Sequence, residues 1–363
     1  MTTEDVLYRR LYTQRLLGEP FERPEEVVGW LVGVQSQDYP GASWSLAQRV
    51  GGCTEADVRR AFDEGRILRT HLLRPTWHLV TPDDIRMLLM LTAPRVKVLN
   101  AHMNRKLELD DAILARTKAI IARALEGGRQ LTRKEINVLL EAEGISAQGQ
   151  RLAYIVMDAE LDGLICSGAI RGKQHTYALL DERAPNGRTL PYDEALTELT
   201  RRFFTSHGPA TQNDFVRWSG LTVAVVKQGL DMVASQLERI EVDGQELWLS
   251  PDGADTPTGR PDTTLAFLLP EFDECFLTYP TLNFPNTRGD IDDLNWIGVF
   301  DRPIVIDARR VGAWKRKLAS KAVTIDVRLF SQVAPNEAAV LDTAVERYGR
   351  YIGLPTTLRG GHE

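Results

Sequence analysis

Cysteine is scarce, and its spacing excludes more than its number. Cys53, Cys166 and Cys275 lie more than a hundred residues apart, with no Cys-x-x-Cys pair, so neither a local zinc site nor a disulfide framework is encoded. Long apolar runs are missing too. No uncharged stretch approaches the roughly 18 residues of a spanning helix, and residues 1–10 carry Glu4, Asp5, Arg9 and Arg10 where a signal peptide would be apolar. The expectation is a cytoplasmic protein with no membrane partner. Nor is there a cofactor signature: no Walker-type loop, no Gly-x-Gly-x-x-Gly after a strand and no cluster of metal ligands. The chain also lacks an excess of basic residues. Its net charge of −6 gives no overall attraction to phosphate.

What is present is an ordinary globular composition, 43% apolar and 26% charged, over 363 residues, enough for two or three cores. The charge is segregated. Residues 231–293 hold 14 acidic against 3 basic side chains, and residues 301–328 hold 8 basic against 3 acidic. Such a run is most often a solvated face, so it permits a basic binding surface without requiring one.

One pattern recurs along the chain. Apolar spacing and the stop at Gly127-Gly128 predict a helix over 111–125. Thr132 with Glu135 forms a capping box that opens a short helix to residue 143, a third helix covers 147–161, and strands follow at 165–170 and 175–180. The order repeats: a helix over 192–205, a capping pair Thr211 and Asp214, a helix over 221–237, then strands 239–242 and 246–249 across Asp243-Gly244. Three helices and a hairpin make a winged helix-turn-helix unit. A looser version occupies the first 110 residues, with helices over 4–17, 25–34, 42–50 and 55–64 and strands over 67–72 and 76–80. Past a Gly/Pro/Asp-rich linker at 251–261 come strands over 264–269, 304–306, 311–315 and 323–329, and a closing helix over 336–351. The fold class is therefore α+β, mainly α: winged-helix units over 1–110, 111–185 and 190–250, then a β-rich region over 262–363.

Two segments could carry chemistry. Gln35-Ser36-Gln37-Asp38-Tyr39-Pro40-Gly41 follows an apolar helix. On a helix residues i and i+2 diverge, so both amides converge only if the chain is extended or bent there, which Pro40 favours. The plain alternative is a polar helix end. The second segment, 70–80, sets His71, Arg74, Trp77 and His78 on a predicted hairpin; core packing explains the two histidines as well as binding does.

Together these segments resemble the bacterial winged-helix DNA glycosylases, the AlkZ-like proteins: Gln-x-Gln after an amino-terminal helix, then His71-Leu72-x-Arg74-Pro75-Thr76-Trp77-His78. The stretch Leu268-Leu269-Pro270-Glu271-Phe272-Asp273-Glu274 and the pair Arg302-Pro303-Ile304-Val305-Ile306-Asp307 with Val311-Gly312-Ala313-Trp314 resemble later family segments. The resemblance implies three tandem winged helices in a concave, DNA-embracing arrangement. It also implies excision of N7-alkylated purines from double-stranded DNA, in some members unhooking of interstrand cross-links, and an active site containing Gln35 and Gln37. Ser36 departs from the usual apolar middle residue, Asp38 adds a carboxylate with an electrostatic or base role open to it, and Cys275 and Thr278 interrupt the family sequence.

The chemistry suits amides. An N7-alkylguanine is cationic and departs neutral, so the site needs no general acid, only an oriented water and tolerance of positive charge on the sugar. For DNA contact, the basic stretch with Arg309, Arg310, Lys315, Arg316 and Lys317 is the first choice and His71, Arg74 and His78 the second. No cofactor and no metal are expected, and the working form is taken as a monomer. The rival readings are a non-catalytic winged-helix transcriptional regulator and a protein-contact scaffold. The third helices weigh against the regulator: Asp158 and Glu160 sit in one, and Lys227 is the lone cation of the other.

Overall fold

The computed structural model describes residues 1–251, 257, 259–285 and 302–360, so part of the 251–261 linker and the carboxy-terminal part of the acidic stretch lie outside the described residues. Helix predominates in a mixed α/β chain. After α1 (Thr3–Thr13) come α2 (Pro24–Leu31), β1 (Val34–Gln35), α3 (Tyr39–Ala47), α4 (Glu55–Asp63), β2 (Leu68–Leu72) and β3 (Thr76–Val80). The long α5 (Ile85–Lys106) leads to α6 (Asp111–Leu125), β4 (Leu131–Thr132), α7 (Arg133–Ala142), α8 (Gln150–Leu161), β5 (Ile165–Ser167) and β6 (Thr176–Leu179). A short α9 (Leu180–Arg183) precedes α10 (Tyr192–His207), α11 (Gln212–Ser219), α12 (Val223–Val233), β7 (Glu238–Val242) and β8 (Gln245–Leu249). The remainder is β9 (Ala266–Leu268), α13 (Glu274–Leu277), β10 (Pro303–Ile306), β11 (Arg309–Leu318), β12 (Val323–Leu329), α14 (Pro335–Ile352) and β13 (Thr356–Arg359).

The first two sets of elements share a topology. In each, a two-residue strand pairs antiparallel with the last strand of the hairpin, giving the orders β1-β3-β2 and β4-β6-β5. In the third set the hairpin β7-β8 is joined by a single bridge, Ala210 to Trp248, at the equivalent place before α11. The two-residue strands were not expected from sequence. The predicted helix over 25–34 ends at Leu31, because Val34 and Gln35 are drawn off to pair with Leu79 and His78. The helix expected from residue 147 starts at Gln150, and β13, also unanticipated, adds in parallel to β12.

Capping follows the sequence closely. Thr132 and Thr211 accept from the Glu135 and Asp214 amides, and those carboxylates accept from the threonine amides. Each box satisfies two amides that a helix start leaves unpaired.

The carboxy-terminal sheet, ordered β13-β12-β11-β10-β9, carries α14 on one face. Trp314, Ile325, Val327 and Tyr348 pack there, and Trp44 of α3 inserts among them with its indole N–H on the Leu268 carbonyl at 2.7 Å. Truncating a buried tryptophan to Ala costs about 3–5 kcal/mol, so this insertion strongly fixes α3 against the sheet. Leu7, Tyr8 and Leu11 of α1 pack with Phe267 and Val305 in a separate apolar cluster. Among the described residues, no helix is long and apolar enough to cross a membrane.

Candidate active site

Extended backbone at Val34–Gln35 continues to Ser36, whose N–H donates to the Trp77 carbonyl at 2.8 Å. Successive side chains therefore alternate. Gln35 is buried, and its amide oxygen accepts from Arg74 Nη2 at 2.6 Å. Ser36 meets Arg69: the guanidinium donates to the Ser36 carbonyl and hydroxyl at 3.1–3.3 Å and lies over the Trp77 ring at 4.2 Å. A hydroxyl at this middle position thus has a specific partner that an apolar side chain would lack. Gln37, two residues beyond Gln35, is exposed.

The group behind Gln35 comes from far along the chain. Glu274, the first residue of α13, is fully buried, and its Oε1 accepts the Gln35 backbone N–H at 2.8 Å. Its Oε2 takes the Trp218 indole N–H at 2.9 Å and the Thr278 hydroxyl at 3.4 Å, with His207 Nε2 at 3.9 Å. Burial alone would raise this carboxyl, but the His207 ring, the Gln35 amide and the Arg74 guanidinium outweigh it and hold Glu274 below the usual carboxylate range. His207 is itself pushed down by burial. Next to Glu274, Asp273 forms a bidentate pair with Arg49 at 2.8 and 3.0 Å, both groups sealed from water. Arg49 also donates to the Gln14 and Ser45 carbonyls, so its hydrogen bonds repay much of the cost of burial.

Asp38 precedes α3 yet caps nothing with its side chain. Its carboxylate instead accepts from Arg302 Nη2 at 3.3 Å, and Arg302 reaches Glu271 at 3.9 Å. Gly41 makes room for this turn, since a Cβ there would fall 2.8 Å from Asp38 Oδ2 and 3.3 Å from Pro270.

The remaining expected DNA contacts divide sharply. His71 and His78 do not lie on an open surface. His71 is buried against Glu160 with its ring 4.3 Å from Trp77; His78 is fully buried, its Nδ1 3.0 Å from the Thr76 carbonyl, and burial beside Arg74 pushes it down to about 3. Both side chains are enclosed, His71 by a carboxylate from α8. Arg74 is partly buried between Gln35 and the Arg217 carbonyl. On β11, Arg309 pairs with Glu337 at 2.6 Å, Arg310 lies 5.4 Å from both the Phe276 and Phe330 rings, and Arg316 donates to the Tyr348 hydroxyl on the α14 side. Lys315 and Lys317 are exposed and, by alternation, point to the opposite face; Arg328 shares it, through the pairs Lys315–Asp326, Lys317–Thr324 and Ala313–Arg328. Among the described residues no group of three or more His, Cys, Asp or Glu side chains is placed to hold a metal ion.

Sequence reasoning quoted Glu274 within a segment but gave it no role, and missed the Arg69–Ser36 contact. Both depend on approaches between remote segments. The one available signal for Glu274 was an acidic pair embedded in an apolar run.

Comparison with known proteins bears on this geometry. A family model described as DNA glycosylase AlkZ-like matches residues 28–351. A Streptomyces sahachiroi protein named interstrand DNA cross-link repair glycosylase is 26% identical over 320 residues, covering 83% of this chain and 85% of the relative. The solved structure of Streptomyces sahachiroi DNA glycosylase AlkZ superposes with a TM-score of 0.75 at 21% identity, over 99% of both chains, so the fold is shared. With the family match running through the Gln35 segment, the Glu274 segment and α14, the chain belongs to the AlkZ-like DNA glycosylase family.

Proposed function

We propose that this DNA glycosylase releases cationic N7-alkylated purines from double-stranded DNA, with Gln35 and Gln37 as its working groups. The reading extends to interstrand cross-links joined through such purines; the Streptomyces relative is named for interstrand DNA cross-link repair. It also takes the three repeated helix-and-hairpin sets, 1–110, 111–185 and 190–250, as tandem winged helices before a carboxy-terminal unit over 262–363, acting as a monomer and, in the cell, on the nucleoid. The matching strand orders β1-β3-β2 and β4-β6-β5 support that division.

The observation that carries the reading is the clamp on Gln35. Its peptide N–H is held by Glu274 and its amide oxygen by Arg74, so the side chain is oriented before substrate arrives. The second lone pair of that oxygen remains for a water. Gln37, exposed in the bend that follows β1, shares the task of holding the water or meets the sugar. In the reaction the N9–C1′ bond breaks toward the base, whose positive charge is neutralised by the departing electron pair. Water adds to C1′ and its proton passes to solvent. Arg74 by itself would oppose positive charge on the sugar; the buried Glu274 carboxylate offsets it. Asp38, held by Arg302, supplies a further negative group near the segment.

The basic side chains of β11 and β12, Arg309, Arg310, Lys315, Arg316 and Lys317 with Arg328, are taken as the phosphate-contacting surface, Lys315, Lys317 and Arg328 on the sheet face away from α14. The regulator reading gains nothing from the structure. Residues 155–161 of α8 are buried, with Glu160 on His71 and Asp158 on Lys118, so most of that helix has no face to offer a groove. The test is incubation with duplex containing N7-methylguanine followed by alkaline cleavage. Strand breaks at the lesion are expected; an intact strand would refute the reading.

A further inference from the structure

A cavity of about 710 Å³ opens where the hairpin β2-β3 meets α7, α8 and β6. Arg69 lines it and bonds Ser36, which alternates with Gln35 along the extended segment, so the cavity lies across that segment from the Gln35 amide. Its walls include Arg69, Arg133 and Lys134 and no carboxylate, in a chain whose net charge is −6. Arg69 is only 9% exposed. Two of its nitrogens serve Ser36, no carboxylate forms an ion pair with it among the described residues, and the acid it senses most, Glu160, is already taken by His71. A largely buried guanidinium with no paired carboxylate favours an anion beside it.

A second feature points to the same ligand chemistry. Helices α6 and α7 are capped by Asp110 and Thr132, but α8 begins at Gly149 with no capping side chain and no acid in its first turn. Gln148 and Gly149 lie on the cavity wall, so the start of this 12-residue helix, its Arg151 amide already on the Gln148 carbonyl at 3.1 Å, opens beside Arg69 and Arg133. Trp77, its ring already in contact with Arg69 and His71, and the largely buried Tyr177 add aromatic wall, and His175, pushed down to about 4 by burial and the nearby arginines, is neutral at physiological pH.

We propose that this cavity binds a nucleotide unit, its phosphate held by Arg69, Arg133, Lys134 and the first turn of α8, its base lying against Trp77 and Tyr177. The nucleotide comes either from the DNA strand or from the free pool, and the chemistry of recognition is the same. The site is separate from the Gln35 clamp and stands or falls without it.

Calorimetric titration of the full chain with dGMP, deoxyguanosine and inorganic phosphate tests this, beside Arg133→Glu/Lys134→Glu and Trp77→Ala. Glutamates in the first turn of α7 suit the helix dipole, so the charge-reversed protein should melt like the parent. The expected result is saturable dGMP binding, at least about ten-fold tighter than either fragment and weakened at least about ten-fold by charge reversal. Trp77→Ala should weaken dGMP and leave inorganic phosphate unchanged. A repeat with saturating undamaged duplex separates the sources: displacement of dGMP assigns the site to a nucleotide of DNA, undiminished binding to a free nucleotide. Binding of dGMP no tighter than phosphate, or unaffected by charge reversal, would overturn the proposal. No excision is measured, so a failure here is distinct from a failure of the N7-purine reading.

Discussion

The first and second units reach the same point in their topology and treat it differently. In the second, β4 runs straight into α7, and Thr132 with Glu135 closes the helix start in a reciprocal box. In the first, Ser36, Gln37 and Asp38 intervene between β1 and α3, and Asp38 leaves the helix start without a side-chain cap. The polar groups freed there engage Arg69, Arg74, Glu274 and Arg302 instead. A junction that is sealed by its own cap in one set leaves, in the other, polar groups held by distant segments, the Gln35 amide among them. On the proposed reading, local stability is exchanged there for a preorganised site, and those distant contacts compensate.

The sharpest way to break that contrast is through the compensation. Asp273→Asn should leave Arg49 charged and sealed, lowering unfolding free energy by about 3–5 kcal/mol in urea titration. A loss below about 1 kcal/mol would mean the lock does not hold the first unit to the 273–279 segment. Next comes the site itself. Gln35→Ala with Gln37→Ala should cut single-turnover N7-methylguanine release about 10²–10³-fold, the scale set by loss of a preorganised polar group, with little change in melting temperature.

Acid should discriminate the units more gently. His78 and His175 are held neutral, at about 3 and about 4, whereas in the unfolded chain they titrate near 6.5. Their neutral burial contributes fully above pH 6.5 and is lost as pH falls toward 4, because the unfolded chain then binds more protons. Each group should cost about 1.4 kcal/mol per pH unit within that window. Replacing His175 with Gln should flatten the dependence of stability on pH between 6 and 4.5; an unchanged slope would mean that His175 is protonated in the folded protein. The smallest effect sharpens the comparison directly. Thr132→Ala should cost about 1 kcal/mol of stability with excision unchanged, whereas Asp38→Ala, which removes no cap, should spare stability and alter excision.

The capping boxes at Thr132 and Thr211, the Asp243-Gly244 hairpin and the strands flanking it were legible because each is decided within a few residues. β1 was not: two residues carry too little pattern, and only their pairing with Leu79 and His78 makes them a strand. The same limit hid the role of Glu274, which meets Gln35 across 239 positions. It also left the placement of His71 and His78 open between packing and binding, because their enclosure by Glu160 and by the sheet they belong to comes from remote segments. The Gln35 and Gln37 pair was visible as an oddity, while what holds Gln35 was not.

The central idea is that two neutral amides suffice when alkylation has already made the base a good leaving group. Parallel single-turnover reactions on otherwise identical duplexes carrying N7-methylguanine or uracil test it most directly. Release of the cationic purine with no detectable release of uracil is the expected result; release of uracil at a comparable rate would contradict it, since a neutral base needs an acid that the proposed machinery does not contain.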